Sequence, residues 1–434
     1  MRYADRLPTV RDVDSPEFDL VLYGVSGFAG RLLAAHVARH APPGLRVAVA
    51  GRSASRIEAI RDSLPPPVRH WPTIVADATD VAAVDNLAKR ARVVATTVGP
   101  YARYGGALVD ACARNGTHYA DLTGEVLFMR HSIEANEAAA RASGARIVHA
   151  CGFDSVPSDL GVWSLHDHAQ TAGAGTLERV TGLFTGGSGG FSGGTVDSMR
   201  VQFEDLERDP AGRTVVADPH ALDPGADNGQ RVVATPGPPD RWDAHFDADL
   251  GYWLAPFVMA GVNTRVVRRS HALLAEGGGT GGAGYGPGFR YREAVGIPGR
   301  IAGALPAGAV AAATVGFGAA MSVSALRPVL DRVLPTPGTG PSQRAMDRGW
   351  FRMRLIGETS SGRVLQADVG AHLDPGYGAT AVMLGESALA LAADEGPVRG
   401  GVSTPAVALG GALLRRLRQR GFDWPVTEFT AAVM

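Results

Sequence analysis

At 434 residues the chain is too long for one ordinary domain and long enough for a substantial core, so two domains are expected. Its 42 basic and 43 acidic residues leave a formal net charge of −1, which excludes the basic footprint of a nucleic-acid binder and any strongly charged tail. Two cysteines, Cys112 and Cys151, cannot build a disulfide framework, and the start MRYADRLPTVRDVDSPEF is too charged for a signal peptide, so a reduced, cytoplasmic setting is expected.

Residues 1–17, polar and carrying Pro8 and Pro16, read as an N-terminal arm. The stretch DLVLYGVSGFAGR, residues 19–31, then reads as strand, tight turn and helix: Leu20, Val21 and Leu22 stop at Gly24, and Gly27 and Gly30 follow at even spacing before a helix-forming run from Leu32 to Arg39. Pyrophosphate binding needs such an arrangement, with one glycine for the turn, one for close approach of backbone N–H groups and one for helix packing. A second strand, Leu45 to Ala50, ends in Gly51, Arg52 and Ser53, where a dinucleotide fold meets the adenosine ribose. An arginine there favours a 2′-phosphate, hence NADPH, although a solvated arginine after a strand is the plain alternative.

Strand-like runs continue at Thr73 to Ala76, Arg92 to Val98, Thr117 to Leu122 and Arg146 to Cys151. Six strands alternating with helices predict an α/β, Rossmann-type doubly wound parallel sheet over residues 18–155. Asp77 is placed either to meet the adenine side of the cofactor or to shape a surface turn. Lys89 is the single lysine and has Asp85 four residues before it, so the Tyr-x-x-x-Lys pair of a short-chain dehydrogenase is absent. The loop Thr96-Thr97-Val98-Gly99-Pro100-Tyr101 leaves the carboxyl edge of the sheet, which makes Tyr101 a neighbour of the nicotinamide or an ordinary loop residue. In CGFDSVPSDLG, residues 151–161, Pro157 opens a helix that Asp154 or Ser155 can cap; Asp154, Ser155 and Asp159 are candidates to hold substrate or carry protons. Cys151 reads as a buried strand-end thiol rather than a nucleophile.

Beyond this, a second domain is expected. GGSGGFSGGT, residues 186–195, precedes a helix whose apolar positions Val196, Met199, Phe203 and Leu206 share one face, with Thr195 as its cap. These glycines either present backbone donors to an oxygen anion or form a linker. Residues 207–243 read as a long irregular excursion and 277–288 as a mobile loop. Between them, 251–274 is an apolar segment closed by Arg265, Arg268 and Arg269, able to line a pocket or to form a core helix. No charge occurs from Ile301 to Leu326, which leaves a buried helix or hairpin, a membrane span, or a peripheral surface that covers a lipid-like chain. Phe351 to Glu358 and Arg363 to His372 read as a hairpin joined by TSSG, Gly376 to Asp394 as a helix, and a last helix begins at Thr404 and Pro405 and ends at Gly421.

With these segments read, the chain resembles the saccharopine dehydrogenase-like oxidoreductases, and within them the trans-acting enoyl reductases of actinobacteria. YGVSGFAGR, AGR at 50–52, VGPYARYG, THYADLTGE, CGFDSVPSDLG, GGFSGGT, PFVMAGVNTRVVRRS, LDPGYGAT and GGVSTPA carry the resemblance. It implies an inserted α+β domain over residues 156–375, C-terminal helices over residues 376–434 returning to the first domain, NADP(H), and a role in lipid or glycolipid assembly beside polyketide synthases. The cofactor-binding set is then Gly24, Ser26, Gly27, Phe28, Ala29, Gly30, Arg52, Ser53, Asp77, Gly99, Pro100 and Tyr101, and the catalytic candidates are Tyr101, Asp154 and Ser192. The expected substrate is an acyl thioester or lipid-like molecule, presented by a synthase carrier domain. Peripheral contact with the inner face of the plasma membrane and a homodimer are left open, and neither a metal nor nucleic acid is expected. Carbon–nitrogen oxidoreduction is the alternative chemistry, for which Arg265, Arg268, Asp154 and Asp159 are the hints, and a non-catalytic NADP-binding protein is the third reading.

Overall fold

The computed structural model of the protein describes residues 16–188, 193–225, 241–277, 283–323, 340–397 and 399–429, together with 334 and 338. Strands β1 (Leu20–Tyr23), β2 (Val47–Gly51), β3 (Thr73–Val75), β4 (Val93–Thr96), β5 (His118–Ala120) and β6 (Arg146–Val148) alternate with helices. These helices are α1 (Phe28–His40), α2 (Ala54–Ser63), α3 (Val81–Lys89), α4 (Tyr101–Tyr104), α5 (Gly106–Asn115) and α6 (Val126–Ser143). The strands are apolar on both faces, and β1, β2 and β4 are buried throughout, as a parallel sheet covered by helices on either side requires. Every pairing in this sheet is parallel, with Leu20 opposite Val47 and Leu22 opposite Ala95.

Helix α7 (Val156–Thr171) leads to a second, mixed sheet. Its members are β7 (Leu177–Ser188), β8 (His245–Asp247), β9 (Tyr252–Ala255), β10 (Arg290–Pro298), β11 (Trp350–Thr359) and β12 (Val364–Ala371), and the helices between them are α8 (Gly193–Arg208), α9 (Pro210–Ala217), α10 (Ala260–Glu276), α11 (Ala304–Ser322) and α12 (Gln343–Asp347). The chain then returns through α13 (Thr380–Ala392), β13 (Gly401–Ser403), α14 (Pro405–Ala408), α15 (Gly410–Gln419) and β14 (Val426–Glu428). The two seven-stranded sheets run β13-β6-β5-β4-β1-β2-β3 and β14-β12-β11-β7-β10-β9-β8. The architecture is therefore α/β, a Rossmann-type parallel sheet with a second mixed-sheet domain. The reversal of strand order between β1 and β4 opens the crevice where such sheets bind ligands.

Several local expectations are corrected. The final segment, read as helices alone, adds β13 in parallel to β6 and β14 antiparallel to β12. Residues 207–243 are not irregular throughout: α8 runs to Arg208, and the Asp209 carboxylate accepts the Ala211 N–H at 3.0 Å to start α9 at Pro210. Residues 283–289 are pinned rather than mobile, since Tyr285 is fully buried and its backbone bonds Leu177 and His271; residues 278–282 lie outside the described residues. Thr195 sits inside the first turn of α8 rather than capping it. The uncharged 301–326 stretch is not core: of the nineteen residues in α11 only Ala307 and Met321 are buried. Residues 324–326 lie outside the described residues.

Candidate active site

The glycine turn is built as its chemistry demands. Gly24 has φ +92°, a conformation L side chains avoid, and a Cβ there would press on Val98 at 2.7 Å. A Cβ on Gly30 would strike the Gly24 carbonyl, so only glycine lets α1 pack against the turn. Gly27 starts α1 without any side-chain cap, which leaves the first N–H groups, at Phe28, Ala29 and Gly30, for an anion. Ser26 lies beside Gly51 at the mouth of the same turn. The Phe28 ring meets Tyr377 edge-on at 4.6 Å, so the return segment closes over the glycine loop.

At the far end, Arg52 is exposed and forms no ion pair among the described residues. Ser53 begins α2 with no side-chain cap, and its hydroxyl lies 3.4 Å from that of Ser55. A guanidinium, two hydroxyls and an uncapped helix start suit a 2′-phosphate. Ser55 was not singled out by sequence, because a serine in a first helical turn is an ordinary occurrence. Asp77 caps its own turn, accepting the Thr79 N–H at 2.9 Å and hydroxyl at 2.8 Å; these bonds, and then Arg52 nearby, lower its pKa.

The loop after β4 carries Gly99 and Pro100 to the mouth of the crevice, joined by a cis peptide bond. Tyr101 is oriented away from the expected chemistry. Its hydroxyl donates to Thr96 O at 3.2 Å and accepts Leu122 N–H at 3.1 Å, and burial with the Asp121 charge holds the phenol well above its usual pKa. The tyrosine therefore braces the loop, and its hydroxyl is engaged by Thr96 and Leu122 instead of serving the catalytic role expected of it. Glu125 was missed. One of its oxygens accepts Tyr101 N–H at 2.9 Å and Ser198 hydroxyl at 2.6 Å, and the other accepts Ala102 N–H at 2.7 Å. It fixes the start of α4 and ties it to α8, a role that depends on contacts no spacing reveals.

Asp154 stands where the two domains meet. Its carboxyl lies deep in the molecule yet still touches solvent, and burial, reinforced by Asp121, pushes its pKa up to about 7. Next to it Phe153 packs edge-on to Phe351 at 4.8 Å and to Phe184 at 6.4 Å, and Phe184 stacks on Phe257 at 5.1 Å. Phe153, Phe184 and Phe257 each keep partial exposure, so an aromatic wall begins at the residue that precedes the carboxyl. A carboxyl protonated near neutral pH beside an apolar wall can deliver a proton to carbon.

The remaining candidates separate cleanly. Asp159 is wholly buried, accepting the Ala406 N–H at 2.8 Å and the Ser270 hydroxyl, which makes it a structural group. Ser155 donates to Asn263 at 3.0 Å. Arg265, Arg268 and Arg269 are buried and donate to the carbonyls of Val216 and Asp218, of Pro219, and of Leu222 respectively, so they staple the segment after α9 rather than meet a substrate carboxylate. This removes Arg265, Arg268 and Asp159 as hints for amino-acid chemistry. Cys151 is buried and its thiol pKa is raised, as expected of an inert thiol. Ser192 lies outside the described residues, and Gly193 donates its N–H to the Tyr377 hydroxyl at 3.0 Å. No group of three or more candidate metal ligands occurs among the described residues.

Residues 20–148 match the family model described as the saccharopine dehydrogenase NADP-binding domain. The chain is 42% identical over 418 residues to a trans-acting enoyl reductase of Mycobacterium ulcerans, covering 93% of this chain and 96% of that one. It is 44% identical over 423 residues to a Mycobacterium tuberculosis protein that carries the same designation provisionally, covering 96% and 99%. Among solved structures, the apo saccharopine dehydrogenase (L-Glu forming) of Saccharomyces cerevisiae aligns over 95% of this chain and 99% of that one, at 12% identity and TM-score 0.49.

Proposed function

Since the chain belongs to the saccharopine dehydrogenase-like family of NADP-binding oxidoreductases, together with the trans-acting enoyl reductases of mycobacteria, we propose that it reduces the carbon–carbon double bond of an enoyl thioester. The Gly24–Gly30 turn, Arg52 and Ser53 would hold NADPH, whose chemistry would be hydride donation to the β-carbon. The chain's own contribution is then orientation and proton delivery. The aromatic wall of Phe153, Phe184 and Phe257 takes the acyl chain and excludes water, while the Asp154 carboxyl holds the proton that the α-carbon receives. Negative charge developing on the thioester oxygen is met by the N-terminal end of α7 and by the first turn of α8, where Gly194 lies.

The observation that carries this reading is Asp154, whose carboxyl burial pushes up to about 7 and which directly follows Phe153 of the aromatic wall. Saccharopine-type chemistry has lost most of its charged groups to structural roles. The test is single-turnover NADPH oxidation with a panel of enoyl thioesters, free and loaded on a carrier domain. Oxidation with an enoyl substrate supports the proposal; NADP reduction driven by amino acids instead would replace it.

The name of the relatives suggests action in trans, so the substrate is proposed to arrive on the carrier domain of a polyketide synthase during lipid or glycolipid assembly. Helix α11 supports a site of work at the inner membrane face: it is 19 residues long with mean hydropathy 1.5, and Leu305 in its first turn and Ile301 just before it are 87% and 90% exposed. A second copy of the chain is the competing occupant of that helix.

A further inference from the structure

Behind the cofactor edge, three buried side chains form a line. His149 Nδ1 lies 2.7 Å from Asp121 Oδ2, and His149 Nε2 lies 2.8 Å from Ser132 Oγ. Asp121 is completely buried and fixed by further donors: Thr123 N–H at 3.1 Å and Ala150 N–H at 3.0 Å on one oxygen, and the Tyr119 hydroxyl at 3.0 Å on the other. A carboxylate only accepts, so the imidazole proton belongs on Nδ1 and the Nε2 lone pair faces the serine hydroxyl. Tyr119 and Phe128 hold the ring edge-on at 5.7 and 5.5 Å.

Ser132 lines a cavity of about 500 Å³ enclosed by α5, α6, α8 and the start of α9, the size of a small-molecule site. His149 and Asp121 are not on its wall. The order from the cavity inward is thus hydroxyl, imidazole, carboxylate. Asn136 stands on the same wall one helical turn after Ser132, giving one amide hydrogen to Asp110 at 2.8 Å and retaining the other. The proposed reduction uses none of Ser132, His149 and Asn136, and Asp121 only through its charge on Asp154.

We propose that Ser132, His149 and Asp121 form a second, acyl-transferring site that cleaves a small carboxylic ester or thioester. Ser132 Oγ attacks the carbonyl carbon as its proton passes to His149 Nε2; Asp121 holds the imidazolium, and the Asn136 amide meets the carbonyl oxygen. Collapse expels the alcohol or thiol with the proton from His149, and water then repeats the cycle to release the acid and free Ser132. The wall carries Asp110, Glu125, Asp205 and Asp209 against Arg208, which favours an uncharged ester over a phosphate-bearing thioester.

The experiment uses the full chain without NADPH, so its outcome is independent of the reductase reading. A fluorophosphonate should label one site, mapped by mass spectrometry to Ser132, and p-nitrophenyl butyrate should be hydrolysed. Ser132→Ala should abolish labelling and lower hydrolysis at least ~100-fold, with circular dichroism and melting temperature showing that it remains folded. Asn136→Ala should lower hydrolysis while leaving Ser132 labelled. Absence of labelling and hydrolysis in the parent protein, label on another residue, or full hydrolysis in Ser132→Ala would overturn the proposal and leave the array as a buried hydrogen-bond chain.

Discussion

Asp154 concentrates the residue-scale consequences. As the group that holds the transferred proton it must be protonated, so turnover should be full at mildly acid pH and fall as pH rises through about 7. Asp154→Asn should lower turnover by about 10²–10⁴-fold with NADPH affinity unchanged, since the carboxyl lies outside the nucleotide cradle. Its stability effect has the opposite sign. A carboxyl whose pKa is raised on folding contributes most below its unfolded value of 3.8, and that contribution is lost as pH rises through about 7. The variant should therefore be more stable than the parent at pH 8 by roughly 1–2 kcal/mol, allowing for the solvent the carboxyl still touches, and chemical denaturation at pH 5 and 8 would reveal the difference. Cofactor choice is a separate residue-scale matter. Arg52→Asp should cost about 1–3 kcal/mol of NADPH binding relative to NADH, and equal affinities in the parent would defeat the 2′-phosphate role. The glycines and Arg52 were legible because backbone conformation and position after a strand dictate them. Tyr101 was misread because sequence places a residue on a loop without saying which way its hydroxyl points.

Elements were legible in proportion to the length and regularity of their pattern. The β11–β12 hairpin and α13 stand where alternation and composition put them, whereas β10 carried no strong signal and went unread although it is paired on both sides. The Asp209-Pro210 start of α9 was readable in principle, but proline-rich surroundings concealed it. Helix α11 is the case where composition was plain and location was not. Its residues are apolar on every side, so sequence could not tell a core helix from a surface one; the structure leaves 11% of its apolar window buried. Exposure of that kind predicts an occupant. Vesicles of anionic lipid should co-sediment the protein, more at low salt than at high, and Leu305→Gln with Val315→Gln should weaken the pelleting. Pelleting unchanged by both substitutions, or light scattering that shows a dimer lost in the variant, would assign the helix to a protein interface instead.

At the scale of the whole molecule, the two sheets are joined by the returning C-terminal segment; its return was expected but its strands were not, because β13 is only three residues, Gly-Val-Ser, and β14 is no longer. Arg269 sits at this seam. It belongs to α10, is 3% exposed, and donates to the carbonyls of Leu222 and Val402, the latter in β13; Glu137 of α6 lies 3.6 Å away and itself accepts Val402 N–H at 2.8 Å. Burial holds the guanidinium down to about 10, still charged at neutral pH, so its hydrogen bonds are of the strong, charge-assisted kind. One side chain thereby couples an element of the second domain to the edge strand of the first sheet. Arg269→Met keeps much of the volume but leaves two buried carbonyls with fewer donors and Glu137 with Arg141 as its remaining cation, a loss of about 2–4 kcal/mol. Because the seam is shared, calorimetry should show one cooperative transition in the parent and one in the variant, moved down by about 1 °C for each kcal/mol lost. If the second domain alone melted early while a separate transition of the first sheet stayed in place, the seam would not couple the domains. The crevice around Asp154 would then owe its geometry to the loop after β4 and α8, which Glu125 joins through Tyr101, Ala102 and Ser198.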